Sequence, residues 1–380
     1  MADSYAINLS QVQEMTKVIA PKILESPATL HFDMLKRYGI NTITGLEFKQ
    51  LQYRATRRAG NTRPYKKGAG KRGTLLDVDQ KEITVKVCRC KYEDNVENYR
   101  EKEPFHVLAE RNFEDVESAR KVLAAGQSAT EDLISCVYFG KRDETIVGEG
   151  ENANVGAYGV LSNFDGVFQH ITKMKADGKT INVIETGEFA PVTSSTKDAN
   201  WNLLVSFVEQ LPASFQKVIN AGDSAQNATV RVNCSPTTFA RIMNSYAQTY
   251  PALTPDKVSK VETAFMDFPN LVLVSNPLIG KGSLLMAIID VNDDPQIDFG
   301  VDSLNNASRV KVTEDPYEPD TYLYDIKIAA GVRVMDETRI CFNDCENTFT
   351  ASDYIGGNVI DEGNDCTMTF SVENGLAKKA

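Results

Sequence analysis

Ala228-Thr229-Val230-Arg231-Val232-Asn233 runs directly into Cys234-Ser235-Pro236-Thr237-Thr238-Phe239, and the change of period between the two halves decides the fold class. The first half alternates apolar and polar residues, the two-residue period of a strand. Ser235-Pro236 is a helix start, a hydroxyl cap followed by proline at the first helical position. Phe239, Ile242, Met243 and Tyr246 then follow at helical spacing. Working outward, Phe164, Val167, Phe168, Ile171 and Met174 fall on one face of an upstream helix. Asp177-Gly178 turns the chain into a strand over Thr180 to Ile184, and Trp201, Leu204, Val205, Val208 and Leu211 repeat the helical stripe. Downstream, Leu271 to Ser275 and Ser283 to Val291 are expected as a hairpin, with Gly280-Lys281-Gly282 near its turn. Thr321 to Ile328 and Gly331 to Phe342 supply two late strands that must pair with distant parts of the chain. Helices alternating with strands of a mixed sheet predict an α+β body.

The 380 residues make room for two or three domains at about 150 residues each. Hydrophobic residues at 42% and charged residues at 24% exclude disordered, collagen-like and coiled-coil chains. A net charge of −11 repels nucleic acid over most of the surface. No apolar run approaches the roughly 18 residues that span a bilayer, so no membrane partner is expected. Met1-Ala2-Asp3-Ser4 has no basic start or apolar stretch, so no signal peptide is expected and the chain is read as cytoplasmic.

The charge is not spread evenly. Lys49 to Leu76 holds nine basic residues (Lys49, Arg54, Arg57, Arg58, Arg63, Lys66, Lys67, Lys71 and Arg72) and no acid, leaving 32 basic and 52 acidic groups elsewhere. Gly60, Gly68, Gly70, Gly73 and Pro64 interrupt it, and it has few apolar residues, so it cannot form a core alone. With a strand expected from Glu82 to Cys90, the unit reads as an extended hairpin projecting from a body. Lys91 to Ser118 has the opposite sign, with nine acids against four bases, among them Glu110, Glu114, Asp115 and Glu117. A basic loop and an acidic stretch in one chain invite pairing, within a subunit or between copies. Tyr53 and Tyr65 are the aromatics of the basic segment, too few for a single-strand stacking platform. Protein contact is therefore the better reading than nucleic-acid contact. Val116, Ala119, Val122 and Leu123 mark a long helix over about 112–137, interrupted at Gly126. Residues 1–48 are an arm of short helices: Ser10 with Gln13 forms a capping box, and Ser26-Pro27 opens a helix that Gly39 ends.

The residues of known chemistry do not assemble into motifs. The seven cysteines are scattered from Cys88 to Cys366 and are expected as free thiols. Cys88 and Cys90 share a strand face, and Cys341 and Cys345 are close, but neither pair has a CxxC or histidine partner at zinc spacing. Gly68-Ala69-Gly70-Lys71-Arg72-Gly73-Thr74 looks like a phosphate cradle, yet Tyr65 and Arg72 stand where a P-loop needs glycine and a hydroxyl. Asp290-Val291-Asn292-Asp293-Asp294 imitates a calcium loop, with Pro295 and Val301 where glycine and a bidentate acid are required. His31, His106 and His170 have no nucleophile motif beside them. No catalytic, cofactor-binding or metal residue is assigned, and no enzyme activity is expected.

The order of arm, basic hairpin, acidic helix, α+β lobe and late strands resembles the major capsid protein of tailed bacteriophages, a fold shared with encapsulin shells. Phe164-Asp165-Gly166-Val167 is similar to that family's entry to its axial lobe, and Asn233 to Phe239 to its strand-to-helix step. Leu271 to Leu278 with Gly280-Lys281-Gly282 resembles the lobe hairpin, and Ala330 to Glu337 the late turn before a final strand. The likeness covers about residues 30–345. It implies an N-terminal arm (1–48), an extended hairpin loop (49–105), a peripheral domain with a long spine helix (106–159), an axial domain (160–305), return strands (306–345) and a C-terminal extension (346–380). It implies a subunit that assembles with itself, in hexamers and pentamers, into the icosahedral head shell around packaged double-stranded DNA. Portal, scaffold and decoration or tail-connector proteins would be partners, with assembly in the host cytoplasm and residence in the virion. Subunit contact would fall to Arg54, Arg57, Arg58, Arg63, Lys66, Lys67, Lys71 and Arg72 against Glu110, Glu114, Asp115 and Glu117. An encapsulin-like compartment and a nucleic-acid-binding protein using Lys49 to Leu76 stay open beside the phage head.

Overall fold

The structure, a computed structural model, describes residues 34–46, 49–57, 76–95, 129–142, 161, 163–191, 193, 197–220, 228–250, 262–265, 268–291, 296–302, 310–317, 321–350, 367–373 and 376–379. Its strands are β1 (Ile40–Thr44), β2 (Lys49–Arg57), β3 (Leu76–Thr84), β4 (Lys86–Asn95), β5 (Asn182–Glu185), β6 (Ala228–Cys234), β7 (Glu262–Phe265), β8 (Phe268–Ser275), β9 (Lys281–Gly282), β10 (Leu285–Val291), β11 (Ile297–Val301), β12 (Val310–Glu314), β13 (Thr321–Val334), β14 (Ile340–Thr350), β15 (Thr367–Glu373) and β16 (Leu376–Lys379). The helices are α1 (129–139), α2 (Val167–Ala176), α3 (Ala199–Gln210), α4 (Ala213–Ile219) and α5 (Pro236–Thr249). The class is α+β, as expected.

β13 is the axis of the first sheet. One of its edges carries β12 on Tyr322–Ile326 and then β11 on Ala330–Val334, while the other carries β4 on Thr321–Ala330. β1 closes the sheet, parallel to β11. The strand expected over Thr321 to Ile328 thus runs on through Gly331 to Val334, while the expected Gly331 to Phe342 strand divides, its end from Ile340 opening β14. Gly331 does not break β13 because it faces Gly300 across the β11–β13 ladder, and a Cβ there would lie 2.4 Å from the Thr84 carbonyl oxygen. Here glycine marks a close approach of backbone rather than a turn.

The strand expected over 82–90 is two strands. The chain changes partner at Val85, so β3 pairs back on β2 while β4 joins β13. Ile83 and Val85 are buried at this corner, and the pull of both side chains into one small core redirects the strand.

β6 is central to the second sheet, whose order is β16-β15-β14-β10-β6-β8-β7, with β5 and β9 against β14. The expected hairpin of 271–275 with 283–291 does not form, because β6 lies between β8 and β10, parallel to the first and antiparallel to the second. The connection crosses the end of β6 and is tied to it: the Asn276 N–H donates to the Cys234 carbonyl at 2.8 Å and the Ser235 hydroxyl to the Gly282 carbonyl at 2.9 Å. The late turn does come at Asp336-Glu337, where the Asp336 carboxylate caps a short 3-10 helix through the Thr338 N–H.

β10 shows why its sequence is apolar from Leu285 to Ile289. Met286 and Ile288 enter the core beneath α1 and α2, whereas Leu285, Ala287 and Ile289 enter the core beneath α3, α4 and α5. A strand buried on both faces loses the polar half of its alternation. In the first core Phe139 of α1 stacks on Phe168 of α2 at 4.8 Å, and Phe168 meets Phe342 of β14 at 5.3 Å. α1 and α2 touch through Gly166, the N-cap of α2, where a Cβ would sit 2.5 Å from the Cys136 carbonyl oxygen. Phe164, expected on the helix, is a buried residue just ahead of it. In the second core Trp201 of α3 packs against Tyr246 and Phe265. The α5 start matches expectation, with the Ser235 Oγ accepting from the Thr238 N–H at 3.2 Å.

The arm's last helical turn, 34–37, ends at Gly39 with φ 79°, as expected. It is fastened to β6, because the Asn233 Nδ2 donates to the Tyr38 carbonyl at 2.9 Å and Arg231 to the Arg37 carbonyl at 3.0 Å. The helix start at Ser26-Pro27, the capping box at Ser10, the break at Gly126 and the stripe from Val116 to Leu123 lie outside the described residues. β14 to β16 carry the chain through a three-stranded antiparallel ribbon, and β16 runs beside α2.

Candidate assembly site at the root of the long hairpin

β2 and β3 pair with each other from Lys49 opposite Thr84 to Arg57 opposite Leu76, and among the described residues no third strand joins them. A two-stranded ribbon is marginal by itself, so what orients it is its root. There Leu46, Ile83, Val85 and Ala329 form a small separate core. Gly300 makes room for it, since a Cβ at that position would lie 2.4 Å from Leu46 Cδ1 and 2.6 Å from Ile83 Cδ1.

Directly across β11 and β13, Asp298 faces Arg333. The two side chains are 0% and 2% exposed. Arg333 Nε and Nη2 both donate to Asp298 Oδ2, the former at 3.0 Å, and Asn41 Nδ2 donates to Asp298 Oδ1 at 3.1 Å. The guanidinium's remaining arm, Nη1, points at the Gln50 carbonyl of β2 at 3.4 Å and the Lys81 carbonyl of β3 at 3.5 Å. One buried cation therefore touches the first sheet and both strands of the hairpin. A buried ion pair is costly to desolvate and is tolerated when its remaining donors and acceptors are engaged, as these are. Sequence reasoning passed over Asp298, Arg333 and Asn41. The available signal was a lone acid in Ile297-Asp298-Phe299 and a lone base in Val332-Arg333-Val334, each within an apolar run.

The outer surface of the root is charged and partly apolar. Lys49 bridges Glu82 at 2.7 Å, and the hydrogen bond from Lys49 holds the Glu82 carboxyl below its usual range. Arg89 of β4 grips Asp325 of β13 through two hydrogen bonds of 2.7 Å, which lowers the Asp325 carboxyl in the same way. Leu51 and Val87 stand 46% and 52% exposed beside these pairs in sequence.

Of the expected contact residues, Arg54 lies on β2 opposite Asp79, and Arg57 at the last paired position opposite Leu76. The side chains of both, together with Arg58, Arg63, Lys66, Lys67, Lys71, Arg72, Glu110, Glu114, Asp115 and Glu117, lie outside the described residues. So do the phosphate-cradle stretch, His31 and His106. Of the calcium-like stretch, Asp290 is held by Arg231 at 2.6 Å. His170 lies on α2, and burial lowers its imidazole. Among the described residues no cluster of three or more His, Cys, Asp or Glu could hold a metal, and no helix is long and apolar enough to cross a membrane. The five cysteines whose side chains are described, Cys88, Cys90, Cys136, Cys234 and Cys341, are free thiols. Burial pushes Cys88 and Cys341 up to about 12, and raises Cys136 and Cys234 as well.

No protein-family model matches this sequence, and no curated protein does. Solved structures are similar over most of the chain at low identity. The procapsid of satellite phage P4 with its size determination protein matches at 15% identity and a TM-score of 0.48, over 85% of this chain and 89% of that one. The capsid of the Myoviridae phage XM1 matches at 10% identity and 0.47, over 82% and 90%. A virus-like particle from Pyrococcus furiosus matches at 10% identity and 0.42, over 85% and 96%.

Proposed function

We propose that this chain is a structural shell subunit that assembles with itself into the icosahedral head of a tailed bacteriophage and encloses its DNA. The observation that carries the reading is the hairpin: a ribbon without a third strand among the described residues, fixed at its root by a buried ion pair and leading into the basic segment. A single domain gains nothing by anchoring such a ribbon so firmly unless its far end has a partner. The chain supplies an oppositely charged candidate in Glu110, Glu114, Asp115 and Glu117 of a neighbouring copy. In this reading Arg54, Arg57, Arg58, Arg63, Lys66, Lys67, Lys71 and Arg72 make the contact, and the role is structural rather than enzymatic. Hexamers and pentamers form in the host cytoplasm, with scaffold, portal and decoration or tail-connector proteins as partners, and the DNA is enclosed without sequence-specific binding.

The protein expressed with the scaffold gene of its own genome should sediment as particles or capsomers and show closed shells in negative-stain microscopy. A stable monomer at high concentration under those conditions would overturn the reading. The nine bases of 49–76 favour one alternative, direct contact with nucleic acid. DNA binding by the unassembled subunit that falls steeply with salt would favour it.

A further inference from the structure

We propose that Arg333 is the positioning residue of the long hairpin, the pivot that sets the direction in which β2 and β3 leave the body. Its consequence for assembly rests on the shell reading, but the pivot itself is a property of one subunit. The geometry sets Arg333 apart from an ordinary structural ion pair. Its two bonds to Asp298 and the bond from Asn41 fix the guanidinium in the plane between β1, β11 and β13. With that plane fixed, Nη1 can point in one direction, and in that direction stand the Gln50 and Lys81 carbonyls, one from each hairpin strand. The nearby apolar contacts of Leu46, Ile83, Val85 and Ala329 are non-directional and would let the ribbon rock. The two Nη1 contacts are long, at 3.4 and 3.5 Å, but they are directional and reach both strands from one oriented group, so together they favour one direction of the ribbon over the others. Lysine could keep Asp298 paired, but it has no planar fork with which to hold the carboxylate and both carbonyls together.

The test uses the full chain as unassembled subunits, with hydrogen exchange read by mass spectrometry. Arg333→Lys should raise exchange at least tenfold in peptides covering 49–57 and 76–84, while peptides covering β6 and β10 keep wild-type protection. Unchanged hairpin exchange in a folded variant would overturn the pivot. Equal loss of protection in the hairpin and in β6 and β10 would also overturn it, since Arg333 would then be a global stabiliser. If the lysine variant fails to fold, the double variant Asp298→Asn with Arg333→Gln removes both charges together and is read by the same two outcomes. Assembly is then measured on the same protein. A loosened hairpin with slower assembly supports both the pivot and the shell reading, whereas a loosened hairpin with unchanged assembly supports the pivot and overturns the hairpin's part in subunit contact.

Discussion

Gly331 and Gly187 have the same side chain and opposite constraints. A methyl group on Gly331 would strike the Thr84 carbonyl, a backbone atom at 2.4 Å that cannot swing aside, whereas one on Gly187 would meet the flexible end of Leu203 at 3.4 Å. Gly331→Ala should therefore cost about 1–3 kcal/mol, the usual penalty of overpacking. Gly187→Ala should stay within about 0.5 kcal/mol of wild type. Urea unfolding of the two variants under identical conditions checks the contrast, and equal midpoints would show that the β3–β13 crossing yields readily. The same residue scale explains the thiols. Burial and not a partner ion raises Cys88, Cys234 and Cys341, so these sulfurs are packing groups rather than nucleophiles at neutral pH.

α5 shows an element whose start, stripe and packing agree. Ser235 accepts from the Thr238 N–H and donates to the Gly282 carbonyl, while Thr238 Oγ1 donates to that same carbonyl. The cap of one helix thereby also closes the crossover from β8 to β10. Ser235→Ala should lower stability by about 1–2 kcal/mol, at or above the usual loss of a cap, and Ser235→Thr should recover part of it. A lowered urea midpoint with an unchanged slope would check this. Elements of this kind were legible in the sequence because their determinants are local. Trp201, Leu204 and Val208 reach the core at the spacing that announced them. What was not legible was partner choice. Nothing within Leu271 to Val291 states that β6, some forty residues upstream, will lie between the two strands. Likewise Gly331 carries the same symbol whether the chain turns there or another backbone passes over it. The pivot was illegible for a related reason: Asp298 and Arg333 are 35 residues apart, and their pairing exists only once β11 and β13 are in register.

At the scale of the molecule, charge is segregated. The net −11 of the chain includes a segment of nine bases and no acids at 49–76, followed by a run of nine acids against four bases at 91–118. Within the shell reading, the basic tip lies across a neighbour's acidic stretch. Each exposed pair is worth only about 0–1 kcal/mol, but the contact repeats at every subunit of a closed shell. Salt should weaken it, because the screening length is about 8 Å at physiological ionic strength. Arg57 closes the β2–β3 ladder opposite Leu76, eight residues from Lys49 at the other end, and Arg58 follows it in sequence, so the Arg57→Glu, Arg58→Glu subunit should stay folded by circular dichroism and urea unfolding. Its assembly, followed by light scattering, should be slowed and should need a higher protein concentration. Adding Glu114→Lys and Asp115→Lys to the same chain restores opposite signs at the contact and should recover part of the wild-type rate. Contact with DNA predicts a different pattern. Shells would then form at the normal rate from the Arg57→Glu, Arg58→Glu variant, DNA retention would be lost, and the acidic-stretch reversal would rescue nothing. That pattern would sink the pairing between subunits and assign the basic segment to the packaged genome.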